Sequence, residues 1–256
     1  MKFADIFFFN WKIVCALIEK LKKIKKWGKR WGYWTLFKKP FLILFSPIIT
    51  RIHPKYTFYI DNKKYNLFYH RYNLTWTKER GVEIPYAIKE IESCKGNVLE
   101  VGNVMSHYFN PTWVIVDKYE KAKGVLNEDI NTYKPKNKYD IIISISTFEH
   151  IGWDEDGEPD PMKSQDKIMT CFNNLKKNCL NHKGKIIISI PIGWNPGIDN
   201  LFFNNKFQFN KIRYVERIGP RQWIQVPMTS ASKCKYGKPY PYANCLAIGE
   251  YTNESD

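Results

Sequence analysis

The stretch V-L-E-V-G-N-V-M-S-H-Y, residues 98–108, decides the reading of this chain. V-L-E-V is short, β-branched and apolar apart from Glu100, and Gly102 follows it directly. In an open α/β sheet, ligands bind outside the carboxyl ends of the strands, and a glycine there lets backbone approach a ligand closely. The pattern recurs outward from this stretch. W-V-I-V-D (113–117) ends in Asp117, and G-V-L-N (124–127) runs into N-E-D-I with Asp129. Y-D-I-I-I-S-I-S (139–146) runs into T-F-E-H-I, and K-I-I-I-S-I (185–190) precedes Trp194 and Asn195. Continuous apolar runs fit strands covered on both faces. Helical patterns lie between some of them, most clearly over residues 161–180 with Met162, Ile168, Met169, Phe172, Leu175 and Leu180. This alternation predicts an α/β sandwich with a mostly parallel sheet. Polar groups at the ends of four successive strands describe a nucleoside site.

Upstream, K-Y-T-F-Y-I and K-Y-N-L-F-Y-H read as a hairpin turning at D-N-K, within residues 54–75. A helix is expected to follow, capped by Thr75 or Thr77 and running to about Ser93, with Pro85 kinking or delaying it. In the tail, K-I-R-Y-V-E-R-I, Q-W-I-Q-V and N-C-L-A-I-G-E-Y read as strands without long helices between them, and an antiparallel strand at the sheet edge fits.

Composition bounds the rest. The 256 residues are 44% hydrophobic, too apolar for a disordered chain. A mean hydropathy of −0.45 excludes a polytopic membrane protein. The formal charge is +15, but it is unevenly placed. Residues 1–80 hold 18 Lys/Arg and 4 Asp/Glu, leaving 22 and 21 for the remainder, which is near neutral. The domain expectation is therefore a basic extension over 1–53 and an α/β domain over 54–256. Within the extension, Ile13, Leu17, Leu21, Ile24, Trp27 and Trp31 recur at helical spacing, with Lys12, Lys22, Lys23, Lys26, Lys29 and Arg30 on the other side. A helix over residues 11–31 with that division suits an anionic membrane surface, or a plain helix with a solvated lysine face. Six cysteines with no C-x-x-C pair and no secretory signal fit reduced thiols in a cytoplasmic protein, peripheral to a membrane through its basic start.

The motifs L-E-V-G-N (99–103), I-V-D-K-Y-E (115–120), N-E-D-I (127–130), K-Y-D-I-I-I-S-I-S-T-F-E-H-I-G-W-D-E (138–155) and G-K-I-I-I-S-I-P-I-G (184–193), in this order and spacing, resemble a class I S-adenosylmethionine-dependent methyltransferase of the type 11 kind. The resemblance implies a Rossmann-like, doubly wound, mostly parallel seven-stranded sheet with its last strand antiparallel, and S-adenosyl-L-methionine as cofactor. It implies that Glu100, Gly102 and Asn103 form the first loop, facing the methionine part. Asp117 matches the ribose-binding acid. Asp129 and Ile130 match the adenine contacts, and Ser146 and Thr147 the segment under the sulfonium. Taken singly, Gly102 also fits a tight turn and Asp117 a helix cap.

Three departures stand out. Val104 and Ser106 occupy positions that are often glycine in the family's loop. Only eleven residues separate Asp117 from Asp129, so the intervening helix is short or absent. Asn110-Pro111 squeezes the helix between the first and second strands.

S-T-F-E-H replaces the Asn/Asp-Pro-Pro-Tyr/Phe of relatives that methylate amide or base nitrogen, which points away from that chemistry. The pair Glu149–His150 resembles one found in methyltransferases of small hydroxylated molecules. A hydroxyl must lose its proton as it attacks, and histidine is the residue type suited to take it. His150 is the candidate base, with Glu149 as alternate or orienter. No metal is expected. Trp194, Asn195, Arg221 and Trp223 are candidate substrate contacts, with Tyr236 and Tyr240 able to stack on a sugar. Trp76, Glu79, Arg80 and Glu83 are a candidate lid, and the acidic loop 152–161 a candidate cap. The expected acceptor is a small molecule or a membrane-associated glycan. The alternatives are a non-catalytic binding or tethering module of the same fold, or a nucleic-acid methyltransferase with a basic arm. The catalytic half shows no basic groove, so nucleic acid is not the expected partner.

Overall fold

The computed structural model describes residues 33–153 and 159–253. The expected helix over 11–31 and the centre of the acidic loop lie outside them. The chain divides into two compact units, Met1–Ile49 and Thr50–Asp256. Helix α1 (Tyr33–Ile52) contains Pro40 and Pro47, and exposes Phe41, Ile43, Leu44, Phe45, Ile48 and Ile52.

The second unit is built on one eight-stranded sheet in the order β5 (Val125–Leu126), β4 (Val114–Val116), β3 (Val98–Val101), β6 (Tyr139–Ile145), β7 (Leu180–Pro191), β10 (Cys245–Thr252), β8 (Lys211–Gly219), β9 (Gln222–Val226). The first five strands are mutually parallel, and β10 is antiparallel to both β7 and β8. Counted from β3, the order is 3-2-1-4-5, the doubly wound pattern, followed by 7-6 and an added edge strand. One antiparallel strand, β10, therefore sits inside the sheet, a second, β9, forms the expected antiparallel edge, and there is one strand more than the expected seven. The reason is local: Gly219-Pro220-Arg221 turns the chain straight back, so Q-W-I-Q-V pairs with β8 as a hairpin.

The apolar runs are buried on both faces, as expected of central strands. Leu99, Val101, Ile142, Ile186 and Ile188 point into one core with Ile168, Cys171 and Phe172 of α3 (Pro161–Asn174). The alternate residues Ile141, Ile143 and Ile145 are equally buried, and α2 (Arg80–Ser93) lies against β6. Asp160 caps α3, its Oδ1 accepting from the amides of Met162 and Lys163, with Pro161 at the first helical position. The crossovers nearest the site are reduced. Between β3 and β4 there is only a 3-10 turn, Met105–His107, and between β4 and β5 there is no helix.

The hairpin forms as β1 (Thr57–Ile60) and β2 (Lys63–Asn66), turning on Asp61 and Asn62, both at positive φ. These are the residue types that tolerate the left-handed region. The helix after it starts later than expected, at Arg80. Thr75 does not cap it. Its hydroxyl instead donates to Phe68 O and accepts from the amide of His70. Pro85 lies inside α2, where it has no N–H to offer Gly81 O, and that carbonyl accepts the amide of Phe68 instead at 2.9 Å.

Candidate active site

A cavity of about 550 Å³ opens at the carboxyl ends of β3, β4, β5 and β6, a volume typical of small-ligand sites. Of the expected cofactor contacts, Gly102, Asn103, Asp117, Asp129, Ile130, Ser146 and Thr147 line it, and His150 joins them. Lys118, Asn131, Lys167 and Cys171 also line it and had no signal in the sequence reading.

Any side chain at Gly102 is strained. Its φ is +87°, and a Cβ there would lie 2.1 Å from Thr147 Oγ1. Glu100 is placed differently from expectation. It is buried and does not line the cavity. Its Oε1 accepts the amides of Val104 and Met105 at 2.8 and 2.7 Å, and its Oε2 the indole N–H of Trp113 at 2.9 Å. Burial pushes its carboxyl up while these three donors pull it down, and the net direction is up. It fixes the loop from below. That loop closes as a short turn in which Val104 and Ser106 replace the expected glycines, with the Ser106 hydroxyl donating to Asn103 Oδ1.

Asp117 receives three backbone N–H groups: Asn103 at 2.9 Å on Oδ2, and Tyr119 and Glu120 at 2.9 and 2.8 Å on Oδ1. A carboxylate has about four lone-pair sites, so one remains for a hydroxyl in the cavity. Asp129 binds the Asn131 amide and side chain through Oδ1, and its Oδ2 lies 3.1 Å from Lys118 Nζ. Burial would raise its pKa, but the bonds from Asn131 and Lys118 outweigh it and hold the carboxyl below its ordinary value. Asn103 is buried and its Nδ2 has no partner within the protein, leaving a donor in the cavity wall.

Beneath Ser146 lies a buried charged group that sequence reading placed in a lid. Ser146 takes a strained φ of +39°, and its hydroxyl donates to Glu83 Oε1 at 2.7 Å. Ser189 at the end of β7 donates to the same oxygen at 2.7 Å, and Arg80 pairs with the other. Arg80 and Glu83 thus tie α2 to the ends of β6 and β7, and neither lines the cavity.

Glu149 is fully buried beside this group, and its Oε2 has no hydrogen-bond partner. Desolvation, with the like charge of Glu83, drives its pKa well above the ordinary carboxyl value. His150 is the accessible member of the pair. Its Nε2 lies 3.8 Å from Glu149 Oε1, and its ring lies 6.0 Å from that of Trp194. Trp194 in turn meets Tyr236 at 4.8 Å. Asn195 is a buried cap: its Oδ1 accepts Gly197 N at the start of α4 (Pro196–Phe203), and its Nδ2 donates to Glu149 O and Ser164 Oγ. Arg221 and Trp223 do not reach this cavity. They belong to the β8–β9 edge, where Arg221 lies over Tyr56 and Tyr69 and Trp223 is buried beside Arg217. Among the described residues no cluster of three His, Cys, Asp or Glu is gathered for a metal.

The sheet order and the strand-end cavity define a Rossmann-like fold with the strand arrangement of class I methyltransferases, extended by one edge strand. No family model and no curated protein matches the chain. Solved structures do. The N-methyltransferase NodS from Bradyrhizobium japonicum WM9, in complex with S-adenosyl-L-homocysteine, is 13% identical with a TM-score of 0.41, over 69% of this chain and 88% of that one. The glycopeptide N-methyltransferase MtfA is 8% identical with a TM-score of 0.32, over 64% and 86%. An S-adenosylmethionine-dependent methyltransferase from Clostridium acetobutylicum ATCC 824 is 10% identical with a TM-score of 0.32, over 66% and 89%.

Proposed function

We propose that the chain is an S-adenosylmethionine-dependent methyltransferase that methylates a hydroxyl of a small molecule or glycan. The observation that carries this reading is the cavity itself. Gly102, Asp117, Asp129–Ile130 and Ser146–Thr147 come from the ends of four strands and line one space. The residues fit the cofactor. Asp117 keeps a lone-pair site for a ribose hydroxyl, Asn103 Nδ2 is an unused donor, and buried Ile130 offers an apolar surface to a base. When bound, S-adenosylmethionine supplies an electrophilic methyl group. The chain's part is to hold the acceptor in line and take its proton. His150 is the group for this, because it lines the cavity, whereas the neighbouring Glu149 is buried and does not. The balance is simple: the acceptor's O–H proton goes to His150, its oxygen takes the methyl group, and S-adenosylhomocysteine leaves.

Calorimetric titration with S-adenosylhomocysteine tests the reading. Binding that is lost in Asp117→Ala supports it, and absence of heat in the wild type overturns it.

The same proposal places the enzyme at an anionic membrane surface, through residues 11–31 and the exposed apolar stripe of α1. Phe41, Leu44, Phe45, Ile48 and Ile52 fall within one arc of that helix, with Lys38 and Arg51 at its flanks, while Ile43 is exposed on the opposite side. Among the described residues no helix is long and apolar enough to cross a membrane.

A further inference from the structure

A second cavity, of about 970 Å³, lies between the end of β8 and the loop 227–244. Its wall carries Lys233, Lys235 and Lys238, with Arg217 and Tyr240 behind them. The three lysines are exposed, and no carboxylate among the described residues pairs with any of them. Arg217 is 6% exposed and has the Glu79 carboxylate as a charged neighbour. Its donors end on the backbone carbonyls of Gly219, Thr77, Pro241 and Pro220. Tyr240 lies over its guanidinium at 4.8 Å. The one acid in the wall, Glu216, lies against the Cys234 thiol. Three exposed lysines therefore face one space with a single carboxylate, a balance that favours an anion.

The loop that presents the lysines is fixed. Asn244 is 2% exposed, and its Nδ2 donates to Lys235 O, Tyr240 O and Tyr242 O while its Oδ1 accepts Tyr240 N. The lysine backbones are ordered before anything binds, so an anion meets a shaped wall.

Aromatic contacts lead from the first cavity towards the loop that carries these lysines. His150 lines the first cavity and meets Trp194, Trp194 meets Tyr236, and Tyr236 follows Lys235 in the chain. We infer that the cavity bounded by Lys233, Lys235 and Lys238 is an anion-binding subsite. It takes a phosphate or carboxylate group of the acceptor, whose body lies along Trp194 and Tyr236 with its nucleophile towards His150. The acceptor half of this statement rests on the methyl-transfer reading; the anion site does not.

The test uses the full chain and two probes, inorganic phosphate and acetate, titrated at constant ionic strength. Saturable binding is expected for one of them, and the tighter probe names the group. The triple variant Lys233→Gln/Lys235→Gln/Lys238→Gln should bind that probe at least about tenfold more weakly, because charge-assisted contacts are lost. A control variant of equal net charge, Lys134→Gln/Lys136→Gln/Lys177→Gln, should bind as the wild type does. S-adenosylhomocysteine affinity should be the same in all three proteins. No saturable binding of either probe, or equal weakening in both triple variants, overturns the site. Loss of S-adenosylhomocysteine binding in the wild type would instead remove the methyl-transfer reading and leave the anion site to be judged on its own titration.

Discussion

At Gly102 the sequence pattern and the structure make the same demand for different reasons. The pattern asks for a glycine because a ligand comes close. The structure asks for one because φ is +87° and Thr147 fills the place of a Cβ. Gly102→Ala carries about 1–2 kcal/mol of backbone strain and must also push Thr147 off the cavity floor. Affinity for S-adenosylhomocysteine should fall at least about tenfold, more than the shift in melting temperature would suggest, and calorimetry beside thermal unfolding checks both. Asp199 makes the second residue-scale prediction. Its Oδ2 accepts Gly193 N, its Oδ1 has no partner, and burial pushes its pKa up to about 7. Between about pH 4 and 7 the folded chain holds a proton there that the unfolded chain releases. Stability therefore falls as pH rises through that window. In Asp199→Asn this fall disappears. The variant should match the wild type near pH 4 and exceed it by on the order of 2–4 kcal/mol at pH 8, read by urea unfolding. Gly102 and Asp117 were legible because strand-end chemistry names residue types. The role of Glu100 was not, because the direction of its carboxylate is decided by Trp113, thirteen residues on. The raised pKa of Glu149 was hidden for the same kind of reason: it depends on burial beside Glu83, which comes from another element.

Elements were legible where a period or a run repeats, and illegible where the backbone borrows partners from afar. Most strands of the sheet lie close to the apolar runs that mark them, because central strands are continuous apolar runs, but β7 starts at Leu180, five residues before its run and inside the span expected to be helix. The start of α2 was misplaced, because Thr75 spends its hydroxyl on Phe68 and Pro85 hands the Gly81 carbonyl to Phe68 N. The hairpin β1–β2 was legible as a hairpin, but its docking was not. Asp61 at its tip receives Lys211 and Arg213 from β8 and Gln225 from β9, and its own amide donates to Gln225 Oε1 at 2.7 Å. Burial alone would raise the Asp61 pKa, but the bonds from Lys211 and Arg213 bring it down to about 2. The contribution of this carboxylate is therefore present above about pH 4 and is lost as pH falls towards 2. Asp61→Asn should detach the tip at neutral pH at a cost of about 1 kcal/mol, given its partly exposed ion pairs. Hydrogen exchange of the amides over 57–66 should speed up in the variant, while that of β6 and β7 stays unchanged.

On the scale of the molecule, the +15 charge is unevenly divided along the chain. Residues 81–256 hold 22 Lys/Arg and 21 Asp/Glu, and they contain the whole candidate site. A near-neutral unit of this kind needs no polyanion to explain it, and its unpaired lysines are concentrated enough at the second cavity to select a small anion. Residues 1–80 hold 18 and 4, and α1 within them presents an apolar stripe to solvent. Charge alone would bind any anionic polymer. Charge beside an exposed apolar stripe favours a lipid surface, where each basic residue near the headgroups is worth about 1 kcal/mol and the apolar side chains enter the interface. The two contributions separate by salt. Binding of the full chain to vesicles of phosphatidylserine in phosphatidylcholine should exceed binding to phosphatidylcholine alone and weaken steeply as salt is raised, since screening shortens to about 3 Å at 1 M. A residual, salt-resistant fraction should remain, and Leu44→Asp/Ile48→Asp should remove it without changing S-adenosylhomocysteine affinity. Sedimentation with vesicles reads all of these. Equal binding to neutral and anionic vesicles would discard the electrostatic half of this account. A residual fraction untouched by the aspartates would discard the helix.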